Sequence, residues 1–212
     1  LAQIVPKCVM GAFSNQGQVC ISLQRTYVMD EVYDEFIEQF STLTNKLVIG
    51  NPEDESTDIS AMIHPDEQER ALSWVQEAVE QGSKVISGGM IENGIFLPTI
   101  LTNVGADSKV SCQEVFAPIV LVNRISSIDE GIDAINNSNF GLQAGIFTND
   151  ISTAFKASKE LQVGGVMIND IPTYRVDQMP YGGVKDSGTG KEGIKYAIQE
   201  MTETKLVVWN QQ

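Results

Sequence analysis

Between Val32 and Leu47 the apolar residues Val32, Phe36, Ile37, Phe40, Leu43 and Leu47 recur every three to four positions, with Glu35, Glu38 and Lys46 between them. That spacing predicts an amphipathic helix. A second helix is predicted after Pro65, where Leu72, Val75, Ala78 and Val79 form the stripe and Gly82 stands where a helix commonly stops. KVISGG then reads as a short strand running into a turn. The segments IFLPTILTNV, PIVLVNRI, GLQAGIFT and GGVMIN are short, rich in Val, Ile and Leu, and bounded by Gly, Asn or Pro, as buried strands are. Helical patterns over Ile128 to Ile135 and Ile151 to Leu161 separate several of them. Strands alternating with helices predict an α/β fold with a mostly parallel sheet flanked by helices, because parallel neighbours need a crossover connection. A last helix is predicted near Lys191 to Met201, followed by a strand, Lys205 to Trp209. That strand stands alone, a template for a sheet edge or for another subunit.

The composition narrows the function classes. The chain has 212 residues, enough for one substantial domain or one domain with an appendage. It carries 14 Lys plus Arg against 28 Asp plus Glu, a net charge of −14. Such a surface repels phosphate backbones and anionic membranes, so no nucleic-acid or membrane partner is expected. No stretch approaches the roughly 18 consecutive apolar residues of a membrane span. The cysteines Cys8, Cys20 and Cys112 are odd in number and lack a CxxC spacing, which favours neither a disulfide framework nor a zinc site. No metal and a reducing, cytoplasmic setting are the expectation. The chain opens on Leu1 and enters patterned sequence at once, as a piece of a longer protein would.

Candidate chemistry centres on Cys20. No Asp or Glu precedes Asp30, and a glycine-containing turn beside the thiol can aim backbone N–H groups at it, both of which favour a thiolate. By composition alone, a buried core cysteine is the commoner role. The lone His64, before a proline at a predicted helix start, is more often a surface residue than a base. It therefore gives no Cys-His pair. GGVKDSGTGKEG lacks the Gly-Lys-Ser/Thr ending of a phosphate loop, and no strand is predicted to lead into Gly188 and Gly190. A turn into the last helix is the better reading.

FSNQGQVC, residues 13 to 20, closely resembles the catalytic-cysteine signature of the aldehyde dehydrogenase superfamily. EVFAPIV (114 to 120), NNSNFGLQAGIFTND (136 to 150) and MPYGGVKDSGTGKEG (179 to 193) resemble further blocks of that family in the same order, collinear from about Pro6 to Val208. The resemblance implies that Cys20 attacks an aldehyde, that its backbone N–H forms half of an oxyanion hole, and that a glutamate general base hydrolyses the thioester. It also implies NAD or NADP as cofactor, with Glu114 and Phe116 at the nicotinamide-ribose end. Judged singly, Glu114 would be a solvated strand end and Phe116 a core ring.

In IPTYRVDQMP, where the family varies its substrate pocket, Tyr174 and Arg175 are the candidate substrate-binding residues. Arg175 either forks onto an anionic aldehyde or pairs with Asp177 or another carboxylate. Asn169 is a candidate organiser of the active-site loops. The resemblance divides the chain into a catalytic-cysteine domain over 1–200 and a terminal, oligomer-forming segment over 201–212. The family's general base, oxyanion asparagine and dinucleotide-binding domain are expected outside these residues, leaving this chain alone inactive. A coenzyme A-acylating relative or a non-catalytic assembly fragment are the alternatives.

Overall fold

In the computed structural model, residues 1–211 are described and the apolar stripes form the expected helices. Helix α2 (Asp30–Thr44) buries Tyr33, Phe36 and Phe40, and α3 (Pro65–Glu80) buries Ala71, Val75 and Ala78. Both carry acidic residues in the first turn, Asp30 and Glu31 or Asp66 and Glu67, at the positive end of the helix dipole. His64 caps α3, its Nδ1 accepting from the Asp66 backbone N–H at 3.2 Å while Pro65 takes the first helical position.

An earlier helix, α1 (Ile4–Phe13), was not foreseen by periodicity. It buries Val5, Cys8, Val9, Ala12 and Phe13, and with Lys7 its only charged residue it shows no polar face to set a period. Its end is fixed by aromatic stacking. Phe13 lies 6.1 Å from Phe40, which stacks on Phe36 at 5.4 Å, ring centroid to centroid.

The strands are β1 (Arg25–Met29), β2 (Lys84–Ser87), β3 (Ile91–Glu92), β4 (Ile95–Phe96), β5 (Thr99–Thr102), β6 (Ile119–Ile125), β7 (Phe140–Gly141), β8 (Gln143–Ile146), β9 (Gly165–Ile168) and β10 (Val184–Lys185). The remaining helices are α4 (Lys109–Cys112), α5 (Ile128–Asn136), α6 (Ile151–Glu160) and α7 (Ile194–Glu200). The main sheet runs β1-β6-β5-β2, parallel except for β2, and β8 with β9 forms a second parallel pair. The fold explains the apolar run Ile119–Val122 that opens strand β6. Val120 and Val122 face the core shared with α1 and α2, while Ile119 and Leu121 face the core shared with α3. A strand buried on both faces has no polar alternation to display.

Residues of β1 and β8 border an apolar cleft of about 480 Å³ that side chains of α1, α2, α5 and α6 also line. Among the described residues β1 pairs with β6 and β8 with β9.

Among the described residues, Lys205 to Trp209 pairs with no strand of this chain. Leu206, Val207, Val208 and Trp209 are more than two-thirds exposed. Two expectations need correction. A two-residue strand, β10, does precede Gly188, but it pairs antiparallel with β7 and turns away rather than entering a helix. The last helix starts three residues later than expected, since Gly193 has φ +114°, outside helical space. No helix among the described residues is long and apolar enough to cross a membrane.

Candidate active site

Asn15, Gln16 and Gly17 adopt successive left-handed conformations, φ +50°, +57° and +67°, and form a tight turn ahead of Cys20. At Gly17 an added Cβ would stand 2.2 Å from the Ala117 carbonyl oxygen. This close approach joins FSNQGQVC to EVFAPIV across nearly a hundred residues of sequence. A second clamp lies just beyond Cys20. The Gln24 side-chain amide donates to the carbonyls of Val110 (3.0 Å) and Gln113 (2.7 Å), and its oxygen accepts from the Val115 N–H at 3.1 Å. Glu114 is therefore fixed at the backbone on both sides.

Cys20 is exposed and opens onto a cleft of about 340 Å³ whose wall also includes Glu114, Gln143, Asp186 and Ser187. Among the described residues, no backbone carbonyl accepts from the Cys20 N–H, which leaves that donor available. Phe116 is 38% exposed with φ +50°, so it is not a core ring. A bulky residue in the left-handed region is uncommon and marks a segment held by its surroundings. Phe116, Tyr174 and Arg175 lie outside the lining of the Cys20 cleft.

The loop after β9 is pinned at several points. Asn169, at φ +57°, accepts on Oδ1 from the Thr148 N–H at 2.8 Å and donates its own N–H to Ile146 at 2.7 Å, tying the ends of β8 and β9 together. Asp170 pairs with Lys7 of α1 at 3.0 Å. Backbone N–H donation from Ile171 and the Lys7 ammonium hold the Asp170 carboxyl below its ordinary value. The Thr173 hydroxyl donates to the Ile21 carbonyl at 3.1 Å, next to Cys20. Gln143 donates to the carbonyls of Pro172 and Tyr174. The Tyr174 side chain itself is half exposed.

Arg175 pairs with Glu192 at 3.2 Å rather than with Asp177. Its guanidinium carbon stands 4.1 Å from the ring centroid of Tyr181, and the Tyr181 hydroxyl donates to Cys20 Sγ at 3.2 Å. One phenol ring thus separates the arginine from the sulfur. Gln24, Thr173 and Tyr181 were not singled out from the sequence: Gln24 reads as an ordinary polar residue before a strand, and Tyr181, between Pro180 and two glycines, reads as part of a turn. Among the described residues no cluster of three or more His, Cys, Asp or Glu could hold a metal ion.

The three thiols differ in a way labelling can read. Burial pushes the Cys8 thiol up to about 12, so at pH 8 its thiolate is on the order of one molecule in ten thousand. Cys112 is half-buried, its Sγ near the Asp107 carbonyl at 3.6 Å. Iodoacetamide at pH 8 is expected to modify Cys20 first and Cys8 only on unfolding, as followed by peptide mass spectrometry. Labelling of Cys8 ahead of Cys20 in the folded chain would contradict this arrangement.

The chain is 55% identical over 199 residues to the 3-sulfolactaldehyde dehydrogenase of Priestia aryabhattai, covering 94% of this chain and 42% of that protein. It is 47% identical over 206 residues to the lactaldehyde dehydrogenase of Methanococcus aeolicus, covering 97% and 44%. Among solved structures, aldehyde dehydrogenase 21 from Physcomitrella patens in complex with the reaction product succinate matches with a TM-score of 0.95 and 41% identity, covering 97% of this chain and 43% of that one. The glyceraldehyde-3-phosphate dehydrogenase of Methanocaldococcus jannaschii complexed with NADP matches with a TM-score of 0.91 and 40% identity, covering 94% and 43%. The chain thus spans less than half the length of these relatives. The model of the aldehyde dehydrogenase family matches residues 1–207, nearly the whole chain, and the chain belongs to that family.

Proposed function

We propose that residues 1–200 are the catalytic-cysteine domain of an NAD(P)-dependent enzyme that oxidises a small anionic or hydroxylated aldehyde to its acid. The observation that carries this reading is the joining of Cys20 and Glu114 in one cleft by the Gly17 contact and the Gln24 clamp. Glu114 is an exposed carboxylate suited to accept from ribose hydroxyls, and Phe116 offers an exposed ring face. These two residues fit the nicotinamide-ribose end of NAD or NADP. When bound, that cofactor supplies the hydride acceptor.

The chain's own residues supply the rest of the chemistry on this side. The Cys20 sulfur adds to the aldehyde carbon, and the resulting oxyanion accepts from the Cys20 N–H. Each such donor is typically worth about 3 kcal/mol in the transition state. After hydride loss the acyl group stays on sulfur as a thioester until water releases the acid. No Glu or Asp precedes Asp30 here, so turnover is proposed for the full-length protein rather than for residues 1–212 alone. Residues 201–212, with Leu206 to Trp209 exposed, serve in this reading as a segment that adds to a second copy of the chain. The free thiols fit a cytoplasmic setting.

Arg175, with Tyr174 beside it, is the proposed anion-binding side of the substrate site. Among the named relatives, sulfolactaldehyde, glyceraldehyde 3-phosphate and the product succinate carry an anionic group, while lactaldehyde is neutral and hydroxylated. An incoming anion would replace Glu192 as the partner of the guanidinium fork. Arg175→Ala in the full-length protein is expected to lower kcat/KM for an anionic aldehyde about 10- to 100-fold, the range of one charge-assisted contact. A neutral aldehyde of equal length should lose less than about threefold. A panel of both classes with NAD and NADP is the test, and equal losses for both would remove Arg175 from substrate selection.

A further inference from the structure

The geometry points to Tyr181 as a positioning residue for the nucleophile: its hydroxyl holds the Cys20 sulfur through a donated hydrogen bond and favours the thiolate over the thiol. This rests on the reading of Cys20 as a nucleophile but concerns its protonation, which can be measured without turnover. Tyr181 is only 6% exposed, and a buried phenol normally directs its O–H at an acceptor. Here the acceptor is Cys20 Sγ at 3.2 Å. A thiolate accepts such a bond more strongly than a neutral thiol, so the contact stabilises the charged form.

The fold holds the phenol in place from two directions. The Tyr181 backbone exchanges both hydrogen bonds with Glu192, N–H to carbonyl at 3.1 Å and carbonyl from N–H at 2.6 Å. Arg175 covers the ring at 4.1 Å and is itself held by Glu192. A cation above the ring makes the phenol a better donor.

The charged and titratable groups near the pair are few. Arg175 and Glu192 flank Tyr181, while Arg25, Glu114 and Asp186 line the cleft onto which Cys20 opens. The phenol's own ionisation is driven well above its ordinary value, first by burial and then by the bond to Cys20. Tyr181 therefore keeps its proton across the range in which a thiol titrates, and remains a donor.

The test is the pH dependence of Cys20 alkylation by iodoacetamide in the 212-residue chain, read by mass spectrometry of the Cys20 peptide. In Tyr181→Phe, which keeps the ring and the Arg175 stack, the profile is expected to move to higher pH. The rate at neutral pH should fall about three- to tenfold, with the high-pH plateau preserved. Protection of Cys8 in the same digest reports that the variant is folded. If Cys8 becomes labelled, Arg175→Gln replaces it, with a smaller shift in the same direction expected. An unchanged profile in the folded variant overturns the proposal and leaves Tyr181 a packing residue. Failure of the broader enzymatic reading would show differently, as aldehyde oxidation that survives Cys20→Ser in the full-length protein.

Discussion

Cys20→Ser in the full-length protein is expected to reduce aldehyde oxidation by about 10⁴-fold or more, the scale at which removal of a covalent nucleophile is felt. The substitution is nearly isosteric at an exposed position, and the serine hydroxyl can still accept from Tyr181, so fold and cofactor affinity should be little changed. The loss is chemical. A serine hydroxyl is far less acidic than a thiol and needs an adjacent base to attack. The only histidine sits at the start of α3, where it caps the helix. Steady-state reduction of NAD and NADP measures the loss, and cofactor titration separates it from binding. Substantial residual oxidation would mean that the sulfur does not carry the acyl group.

Gly17→Ala is expected to destabilise the 212-residue chain by about 3 kcal/mol, through two additive causes. Holding a non-glycine residue at φ +67° costs about 1 kcal/mol. A methyl group 2.2 Å from the Ala117 carbonyl oxygen, with the Ala117 carbonyl carbon and the Pro118 nitrogen also within 3 Å, forces backbone apart and costs about 2 kcal/mol more. Urea unfolding gives the stability change from the midpoint shift at constant slope. Because this contact joins the Cys20 turn to the Glu114 segment, Cys20 labelling should also change in rate. An unaltered midpoint would show that the two segments do not meet as described.

Much of the fold was legible where burial is one-sided or complete. The stripes of α2 and α3 and the apolar run of β6 state their environments directly in residue type. Helix α1 was hidden because it is apolar on all sides and contains Pro6 and Gly11, and β1 because RTYVM is half-buried and short. The terminal KLVVW has the residue types of a strand, but pairing depends on a neighbour that a sequence pattern does not supply. At the site, Cys20 and Glu114 were found through ordered motifs, and the structure brings them into one cleft. Arg175 was left between two roles, and the chain by itself pairs it with Glu192. Tyr181 and Gln24 escaped because their roles are made by contacts 161 and about 90 residues distant in sequence, which no local pattern encodes.

Cys20 stands outside the regular elements, between the tight turn that ends at Gly17 and the start of β1 at Arg25. No ladder or helix therefore aims its sulfur. Its position is set instead by Gln24, Thr173 and Tyr181, side-chain contacts that bind the segment to the loop before β6 and, at two points, to the connection between β9 and β10. Two loops of separate origin thus steady one sulfur, and a change in either is a change in how well that atom is aimed.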